Sequence, residues 1–274
     1  MTPALQLLGA SARRGRLPVL IDVSLCVNPG EVLGVVGANG SGKTTLLRVA
    51  LGLHPLHGGE ARLAGRPVRG LSEAERAGLA GYLPQERRVG WNLPAWRVAA
   101  LGAVHRAPVE AREAAFLALE EVGMAGLAER GVLDMSGGER ARILLARLIA
   151  TGAPLLAADE PAGGLDPDAQ FLAMERLRAR ADAGAAVIAT LHDLTLAARA
   201  CDRLAVIAGG RLLAVGDPAS ALTPEVLAAA FALEGALIDS PAGPVLAAQR
   251  RTVSDLPPSV GVRGGSAEGR GGEV

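Results

Sequence analysis

Short apolar runs, separated by polar or glycine-containing turns, recur along most of the chain. Three of them are almost uninterrupted, and they cover residues 31–36, 154–158 and 186–191. Continuous apolar runs of about five residues are typical of parallel strands that are buried on both faces. Residues 19–27 predict a further strand, which Asn28-Pro29-Gly30 closes, and residues 204–215 predict a hairpin. The pattern predicts an α/β fold with a parallel sheet at its core.

The spacing of apolar residues changes between about residues 92 and 152. One helix face is indicated by four residues at i, i+3, i+4 and i+7, namely Ala141, Leu144, Leu145 and Leu148. Helices are predicted over 109–122, 125–130 and 139–150, with another near 224–232. Because apolar strands precede and follow residues 92–152, this segment is predicted to be a helical insertion in the α/β core.

Composition narrows the class of protein. The 274 residues are 50% hydrophobic but only 2% aromatic, so the core must be aliphatic. Basic and acidic residues number 28 each and form no basic stripe before the tail, so no nucleic-acid partner is expected. No apolar run reaches the roughly 20 residues of a membrane helix. Cys26 and Cys201 are too few for a disulfide framework or a zinc site.

The two ends of the chain differ from its middle. Arg13, Arg14 and Arg16 follow the weak N-terminal apolar segment, which is the reverse of a signal peptide, so an intracellular protein is expected. Residues 1–250 are expected to form one domain. Residues 251–274 are rich in Gly, Arg, Ser and Pro, and they are predicted to be a disordered tail because they have little to bury.

A glycine-rich loop with one lysine follows the first buried run. Its sequence, Gly37-Ala38-Asn39-Gly40-Ser41-Gly42-Lys43-Thr44-Thr45, fits the phosphate-binding pattern G-x-x-x-x-G-K-[ST] between a strand and a helix. Backbone N–H groups there can converge on phosphate, Lys43 can neutralise the β- and γ-phosphates, and Thr44 can bind Mg²⁺. Lys43 is also the only lysine of the chain. The alternative is a glycine turn with an incidental lysine.

Reactive side chains stand where the other strands end. Asp159-Glu160 and His192 each follow a buried run, and Gln85 ends a shorter one. Ligands of open parallel sheets bind beyond the carboxyl ends of the strands, so these side chains can meet at one site. Asp159 fits a Mg²⁺ carboxylate, whereas Glu160, expected to point the opposite way, is the candidate base that polarises the attacking water. His192 is a candidate γ-phosphate contact, and Gln85 a bridge between metal and water. Each also has an ordinary structural interpretation, as a cap, a core histidine or a loop residue.

The segment Ser136-Gly137-Gly138-Glu139 has two interpretations. The pattern S-x-x-E is an ordinary capping box at the start of a helix. Two glycines in the first turn, however, cost about 1 kcal/mol each relative to alanine. That cost is explained if a ligand approaches the backbone, and the segment is then a second anion site with Ser136 and Gly138 as contacts.

Together these motifs resemble the nucleotide-binding ATPase subunit of ABC transporters. The phosphate loop, Gln85, the signature 135–139, the run 155–160, Gly164-Leu165-Asp166 and His192 occur in that family's order, within residues 4–235. The resemblance implies a P-loop NTPase core, an N-terminal antiparallel β subdomain and a helical subdomain at about 92–152. It also implies a head-to-tail homodimer that holds two ATP molecules with Mg²⁺, each between the phosphate loop of one subunit and Ser136 and Gly138 of the other.

Two positions depart from the family pattern. Arg14 stands where family members usually have an aromatic ring that stacks on adenine. A guanidinium can also stack on a base, so Arg14 is the candidate adenine contact. Met135 replaces the more usual leucine of the signature, which is a mild apolar exchange.

Within the family, the chain is most similar to importer ATPases for iron–siderophore, haem or vitamin B12. The likeness rests on residues 91–108, 191–199, 216–218 and 222–225. It implies an ATP-hydrolysing subunit that binds a separate integral membrane permease at the cytoplasmic face of the membrane. A periplasmic or extracellular substrate-binding protein would be an indirect partner. Trp91 and Trp96 either face the permease or anchor the core. The alternative is a soluble ABC ATPase without a transport role, as in iron–sulfur assembly.

Overall fold

The computed structural model describes residues 2–86 and 89–250, which form twelve strands and nine α-helices. The strands are β1 (Leu5–Arg14), β2 (Leu17–Val27), β3 (Val32–Val36), β4 (Gly58–Leu63), β5 (Arg66–Pro67), β6 (Ala80–Leu83), β7 (Leu155–Asp159), β8 (Ala186–Thr190), β9 (Arg203–Ala208), β10 (Arg211–Gly216), β11 (Leu233–Ile238) and β12 (Val245–Arg250). The helices are α1 (Lys43–Ala50), α2 (Glu73–Leu79), α3 (Ala95–Ala100), α4 (Pro108–Glu121), α5 (Gly137–Ala150), α6 (Pro167–Asp182), α7 (Leu194–Ala200), α8 (Pro218–Ala221) and α9 (Pro224–Phe231). The tail predicted at 251–274 lies outside the described residues.

The central sheet has six strands in the order β10-β9-β3-β8-β7-β6. All neighbours are parallel except β10, which forms an antiparallel hairpin with β9. Every residue of β3, β7 and β8 is buried, because one face packs against helices and the other against a second sheet and α1. Along β3, Val32 and Val36 join the first core, whereas Leu33 and Val35 join the second. The parallel sheet predicted from the apolar runs is confirmed.

The second sheet is antiparallel and has the order β2-β1-β4-β5. Its inward side chains include Leu5, Leu7, Leu20 and Val23, which are at most 1% exposed and pack over α1. The predicted α/β class with an N-terminal antiparallel β region is therefore confirmed. The phosphate loop lies where these two sheets meet, because a carbonyl of β2 and one of β9 approach its glycines closely.

Helices α3, α4 and α5 occupy the segment between β6 and β7. Helices α4 and α5 correspond to the predicted helices 109–122 and 139–150, with ends that differ by at most two residues. The helix predicted over 125–130 is wrong, because that segment contains only a 3₁₀ turn at Ala125–Leu127. Gly123 ends α4 with a φ of 69°, and Gly131 forms a bridge with Pro94, so only one turn fits between them. No helix in the described part of the chain is both long and apolar enough to cross a membrane.

The two tryptophans have different environments. Trp96 lies 6.2 Å from the Phe116 ring centroid, and its Nε1 donates to Glu129 at 3.1 Å, so it anchors α3 against α4. Trp91 is 76% exposed and therefore is not a core anchor. The hairpin of β11 and β12, which the sequence did not predict, packs against α7 and α9.

Candidate functional site

A cleft of about 780 Å³ opens at the carboxyl ends of the parallel strands. The predicted site residues that line it are Arg14, Asn39, Gly40, Ser41, Gly42, Lys43, Thr44, Thr45, Gln85, Glu160 and His192. They come from the ends of β1, β3, β6, β7 and β8, which are far apart in the sequence. Val19, Arg48 and His54, which the sequence analysis did not single out, also line the cleft.

Two glycines of the loop are required by the surrounding backbone. A methyl group at Gly37 would lie 2.2 Å from the Ile207 carbonyl oxygen, and one at Gly42 would lie 2.7 Å from the Val19 carbonyl oxygen. Gly42 also has a φ of 111° and precedes α1, whose N-terminus has no side-chain cap. The first N–H groups of α1 therefore face the cleft without an internal acceptor, which is the arrangement that binds an anion.

Lys43 lies within its own loop. Its Nζ donates to the carbonyl oxygens of Gly37 at 2.7 Å and Ala38 at 3.2 Å, and the residue is buried. Burial lowers the pKa of Lys43, although the carboxylates of Glu160 and Asp159 oppose this shift. The ammonium is thus held beside two acidic side chains at the end of the cleft where the α1 N–H groups point.

Asp159 is fully buried and accepts hydrogen bonds from three hydroxyl groups. Its Oδ1 accepts from Thr44 at 3.1 Å and from Thr190 at 2.7 Å, and its Oδ2 accepts from Tyr82 at 3.4 Å. The Thr190 hydroxyl also accepts from the backbone N–H of Glu160 at 2.8 Å. Sequence reasoning missed Thr190 and Tyr82, although Thr190 is the polar residue that ends β8 and Tyr82 is the only tyrosine of the chain.

Glu160 and His192 contact each other. The Nε2 of His192 lies 2.5 Å from the Oε1 of Glu160, and the Glu160 side chain is only 16% exposed. Asp159 and Glu160 do point in different directions, but strand pleating is not the cause. Strand β7 ends at Asp159, and Glu160 has a left-handed backbone with a φ of 54°, so a turn directs its side chain toward His192.

The segment 136–139 forms the start of α5 and lies outside the cleft lining. Ser136 Oγ accepts from the Glu139 N–H at 3.2 Å, and the Ser136 N–H donates to Glu139 Oε2 at 2.7 Å, so the capping box is present. Ser136 and Gly137 are exposed, and a methyl group at Gly137 or Gly138 would meet no atom within 4 Å. Gly37, Ala38 and Asp159 do not line the cleft either, but they adjoin residues that do, whereas Ser136 and Gly138 belong to a separate segment that one chain does not bring to its own cleft.

Comparison with known sequences decides the family. The sequence pattern of the family described as "ABC transporter" matches residues 20–163, which lie across the phosphate loop, α5 and β7. The chain belongs to the ABC transporter family. This ABC ATPase is 40% identical to the hemin import ATP-binding protein of Myxococcus xanthus over 255 residues, which cover 88% of this chain and 94% of that protein. It is also 40% identical to the cobalamin import ATP-binding protein of Halobacterium salinarum over 82% of this chain and 58% of that one.

Solved structures agree with this assignment. An ATP-binding subunit of an ABC transporter superposes with a TM-score of 0.70 at 26% identity, covering 78% of this chain and 90% of that one. An ABC transporter described as being of metal-chelate type, in an inward-facing conformation, gives a TM-score of 0.78 and covers 93% of this ABC ATPase and 100% of that chain. At 22% identity the latter likeness shows the fold alone.

Proposed function

We propose that this ABC ATPase powers the import of a metal-chelate or corrinoid compound, such as haem, an iron–siderophore or cobalamin, through a separate permease. The proposal that the chain hydrolyses ATP rests on one observation. Lys43 and Thr44 after β3, Glu160 after β7 and His192 after β8 line the same cleft. The cargo class is supported by the relatives at 40% identity, which are a hemin import and a cobalamin import ATP-binding protein.

The residues of the cleft have distinct roles in hydrolysis. The N–H groups of the loop 37–45 and Lys43 hold the β- and γ-phosphates, so they offset charge on the phosphoryl group as it is transferred. Glu160 accepts a hydrogen bond from the attacking water and polarises it. His192, which already contacts Glu160, fixes that carboxylate and contacts the γ-phosphate. Arg14 lines the same cleft, and its planar guanidinium stacks on the nucleobase.

The donor set fits Mg²⁺. The Thr44 hydroxyl and the Asp159 carboxylate share a hydrogen bond of 3.1 Å, and the Gln85 amide lines the same cleft. No group of three or more His, Cys, Asp or Glu within residues 2–86 and 89–250 is arranged to hold a metal. Mg²⁺ suits such a sparse oxygen site, because it keeps water and substrate phosphate as most of its ligands. When bound, it neutralises charge on the β- and γ-phosphates.

Two copies of the chain form the complete site. Ser136 is exposed and Gly138 is half-buried at the N-terminus of α5, and neither lines the cleft of its own chain. In a head-to-tail homodimer they face the phosphates bound to the partner's loop. Asp166, whose side chain caps α6 through the Ala169 N–H at 2.9 Å, lies in the segment that crosses between the two sites.

The remaining partners follow from the import role. The ATPase binds an integral membrane permease at the cytoplasmic face of the membrane, and the exposed Trp91 lies in the segment after Gln85 that the permease grips. A substrate-binding protein outside the membrane delivers the cargo to that permease. Residues 92–152 act as a helical subdomain within the ATPase domain 1–250.

A Glu160→Gln variant tests the catalytic proposal. It retains the shape of the side chain but cannot polarise water, so turnover should fall about 100-fold or more while ATP binding is retained. With ATP and Mg²⁺ it should elute as a dimer in size-exclusion chromatography, and the wild-type chain after hydrolysis should not. Wild-type turnover in the variant would remove Glu160 from the mechanism.

The import proposal has a separate test. The ATPase is co-expressed with the permease, and the complex is reconstituted in liposomes with substrate-binding protein. Haem, a ferric siderophore and cobalamin are then compared for stimulation of ATP hydrolysis and for uptake. Stimulation by one of the three is expected. Failure of the ATPase to co-purify with any polytopic membrane protein would contradict the transport role.

A further inference from the structure

A second cleft, with a volume of about 470 Å³, lies between α4, the C-terminal end of α5 and α6. It shares no lining residue with the nucleotide cleft. Its volume is within the range of pockets that hold small molecules. Part of the lining is apolar, and it consists of Ala114, Leu117, Ile149 and Ala150.

Positive side chains dominate the polar part of this α4–α6 cleft. Its charged lining residues are Arg106, Arg176, Arg180, Glu120 and Glu121, which leaves an excess of one positive charge. Arg180 forms an ion pair with Glu121, which joins α6 to α4. Arg106 donates to the Thr151 carbonyl oxygen at 3.4 Å. Arg176 and Arg180 lie one turn apart on α6, whereas Arg106 precedes α4, so the three guanidiniums come from two separate segments of the chain.

Arg176 is the unusual member of the group. Its Nε is buried and has no hydrogen-bond partner among residues 2–86 and 89–250. A buried donor without an acceptor is destabilising, and such groups commonly mark the place of an ion or water. The planar fork of a guanidinium matches the two oxygens of a carboxylate or phosphate group.

We propose that the α4–α6 cleft binds a small organic anion that carries carboxylate or phosphate groups on a short carbon chain. The acidic group accepts from Arg176 and Arg106, and the carbon chain lies on Leu117 and Ile149. The Glu121 carboxylate competes with this anion for Arg180. Because α4 precedes β7 and α6 follows it, a bound anion links the helical segment to the core away from the nucleotide.

The test is calorimetric titration of the full chain with citrate in metal-free buffer. The Lys43→Ala background is used to weaken citrate binding at the phosphate loop, and every further variant is compared within that background. Arg176→Gln should weaken citrate binding about tenfold or more, as the loss of a charge-assisted hydrogen bond does. Arg211→Gln, which removes the same charge from an exposed position on β10, should leave binding unchanged. Glu121→Gln should tighten binding, because it removes the competing carboxylate.

Several outcomes would overturn the proposal. Equal weakening in Arg176→Gln and Arg211→Gln would mean that citrate responds only to net charge. Weaker binding in Glu121→Gln would contradict the competition. Inorganic phosphate that binds as tightly as citrate would show that the apolar lining has no role. If Arg176→Gln does not fold, Leu117→Glu serves instead, because Leu117 is 57% exposed and an added carboxylate there should repel citrate.

Discussion

Helices α2 and α5 begin with the same capping box but differ inside it. In α2, the Ser72 N–H donates to Glu75 Oε2 at 2.9 Å and Ser72 Oγ accepts from the Glu75 N–H at 3.3 Å. In α5, Ser136 and Glu139 make the same two bonds at 2.7 and 3.2 Å. The two residues between serine and glutamate are Glu73-Ala74 in α2 but Gly137-Gly138 in α5.

This difference distinguishes residues that are required to start the helix from residues that are proposed to contact ATP. A cap with ordinary residues inside it works in α2, so the fold does not require the glycines of α5. Apart from the backbone of α5 itself, no atom of residues 2–86 and 89–250 approaches them, since a methyl group at either glycine would meet nothing within 4 Å. The glycines weaken the first turn of α5 without an internal reason. This agrees with the proposal that a partner or ligand comes close to this backbone, and the following variants test it.

The largest predicted effect comes from filling that space. Gly138→Val should reduce ATP turnover about 100-fold or more, because the side chain blocks donors that act on the transferred phosphoryl group. Binding of ATP to the single chain should be unaffected, since Gly138 does not line the cleft. The matched control is Ala74→Val at the same position of α2. Steady-state ATP hydrolysis and nucleotide titration are measured on both variants. Equal turnover in Gly138→Val and Ala74→Val would contradict a special role for the start of α5.

The two cap serines give the second prediction. Ser72→Ala and Ser136→Ala should each cost about 1 kcal/mol in the free energy of unfolding, because each removes the same cap bond. Only Ser136→Ala should also lower turnover, about tenfold, through loss of a hydrogen bond to a charged phosphate. Denaturant unfolding and hydrolysis are measured on both. A tenfold loss of turnover in Ser72→Ala as well would mean that cap stability alone limits the rate.

The third prediction is a variant, Gly137→Ala, that should raise the stability of the chain without raising its ATP turnover. Gly137 is exposed and helical, so Gly137→Ala should stabilise the chain by up to about 1 kcal/mol. Turnover should not rise with stability and should fall if a partner approaches this position closely. Ala74→Gly in α2 should destabilise by a similar amount and leave turnover unchanged. Stabilisation with full activity in Gly137→Ala would show that only Gly138 is approached closely.

The sequence placed the main site residues because each ends a buried strand. Asp159, Glu160 and His192 follow almost uninterrupted apolar runs, and the carboxyl ends of parallel strands meet at one edge of the sheet. Thr190 was not found because a threonine within an apolar run is also an ordinary strand residue. Only the register, in which Thr190 pairs with Asp159, puts its hydroxyl beside that carboxylate.

Other features depend on packing that the sequence does not display. The hairpin of β11 and β12 lacks a clear alternation, and it is held by bonds to α7. The Leu246 N–H donates to Thr195 Oγ1 at 3.1 Å, and Arg199 Nε donates to the Pro244 carbonyl oxygen at 2.9 Å. The left-handed turn at Glu160 was also not predicted, because a glutamate gives no local signal for a positive φ.

The smallest predicted effect is a loss of unfolding free energy at low pH. A hydrogen bond from Arg66 at 2.5 Å, together with bonds from Ser72, lowers the pKa of Glu75 to about 2, and bonds from the Ser136 N–H and hydroxyl lower the pKa of Glu139. A carboxyl whose pKa is lower in the folded chain adds stability above its unfolded pKa, and this is lost as the pH falls through the folded pKa. For Glu75 the loss should lie between about pH 4.5 and pH 2.

Glutamine variants separate the two caps in that range. Glu75→Gln and Glu139→Gln should each flatten the decline of unfolding free energy with falling pH, as measured by urea unfolding. Raising the salt concentration should reduce the Glu75 contribution, because its Arg66 partner is exposed and screened. An unchanged acid slope in Glu75→Gln would show that its ion pair is not maintained in solution. Turnover at neutral pH should stay at the wild-type level in Glu75→Gln, since the α2 cap meets no phosphate, and a loss there would end the distinction between the two helices.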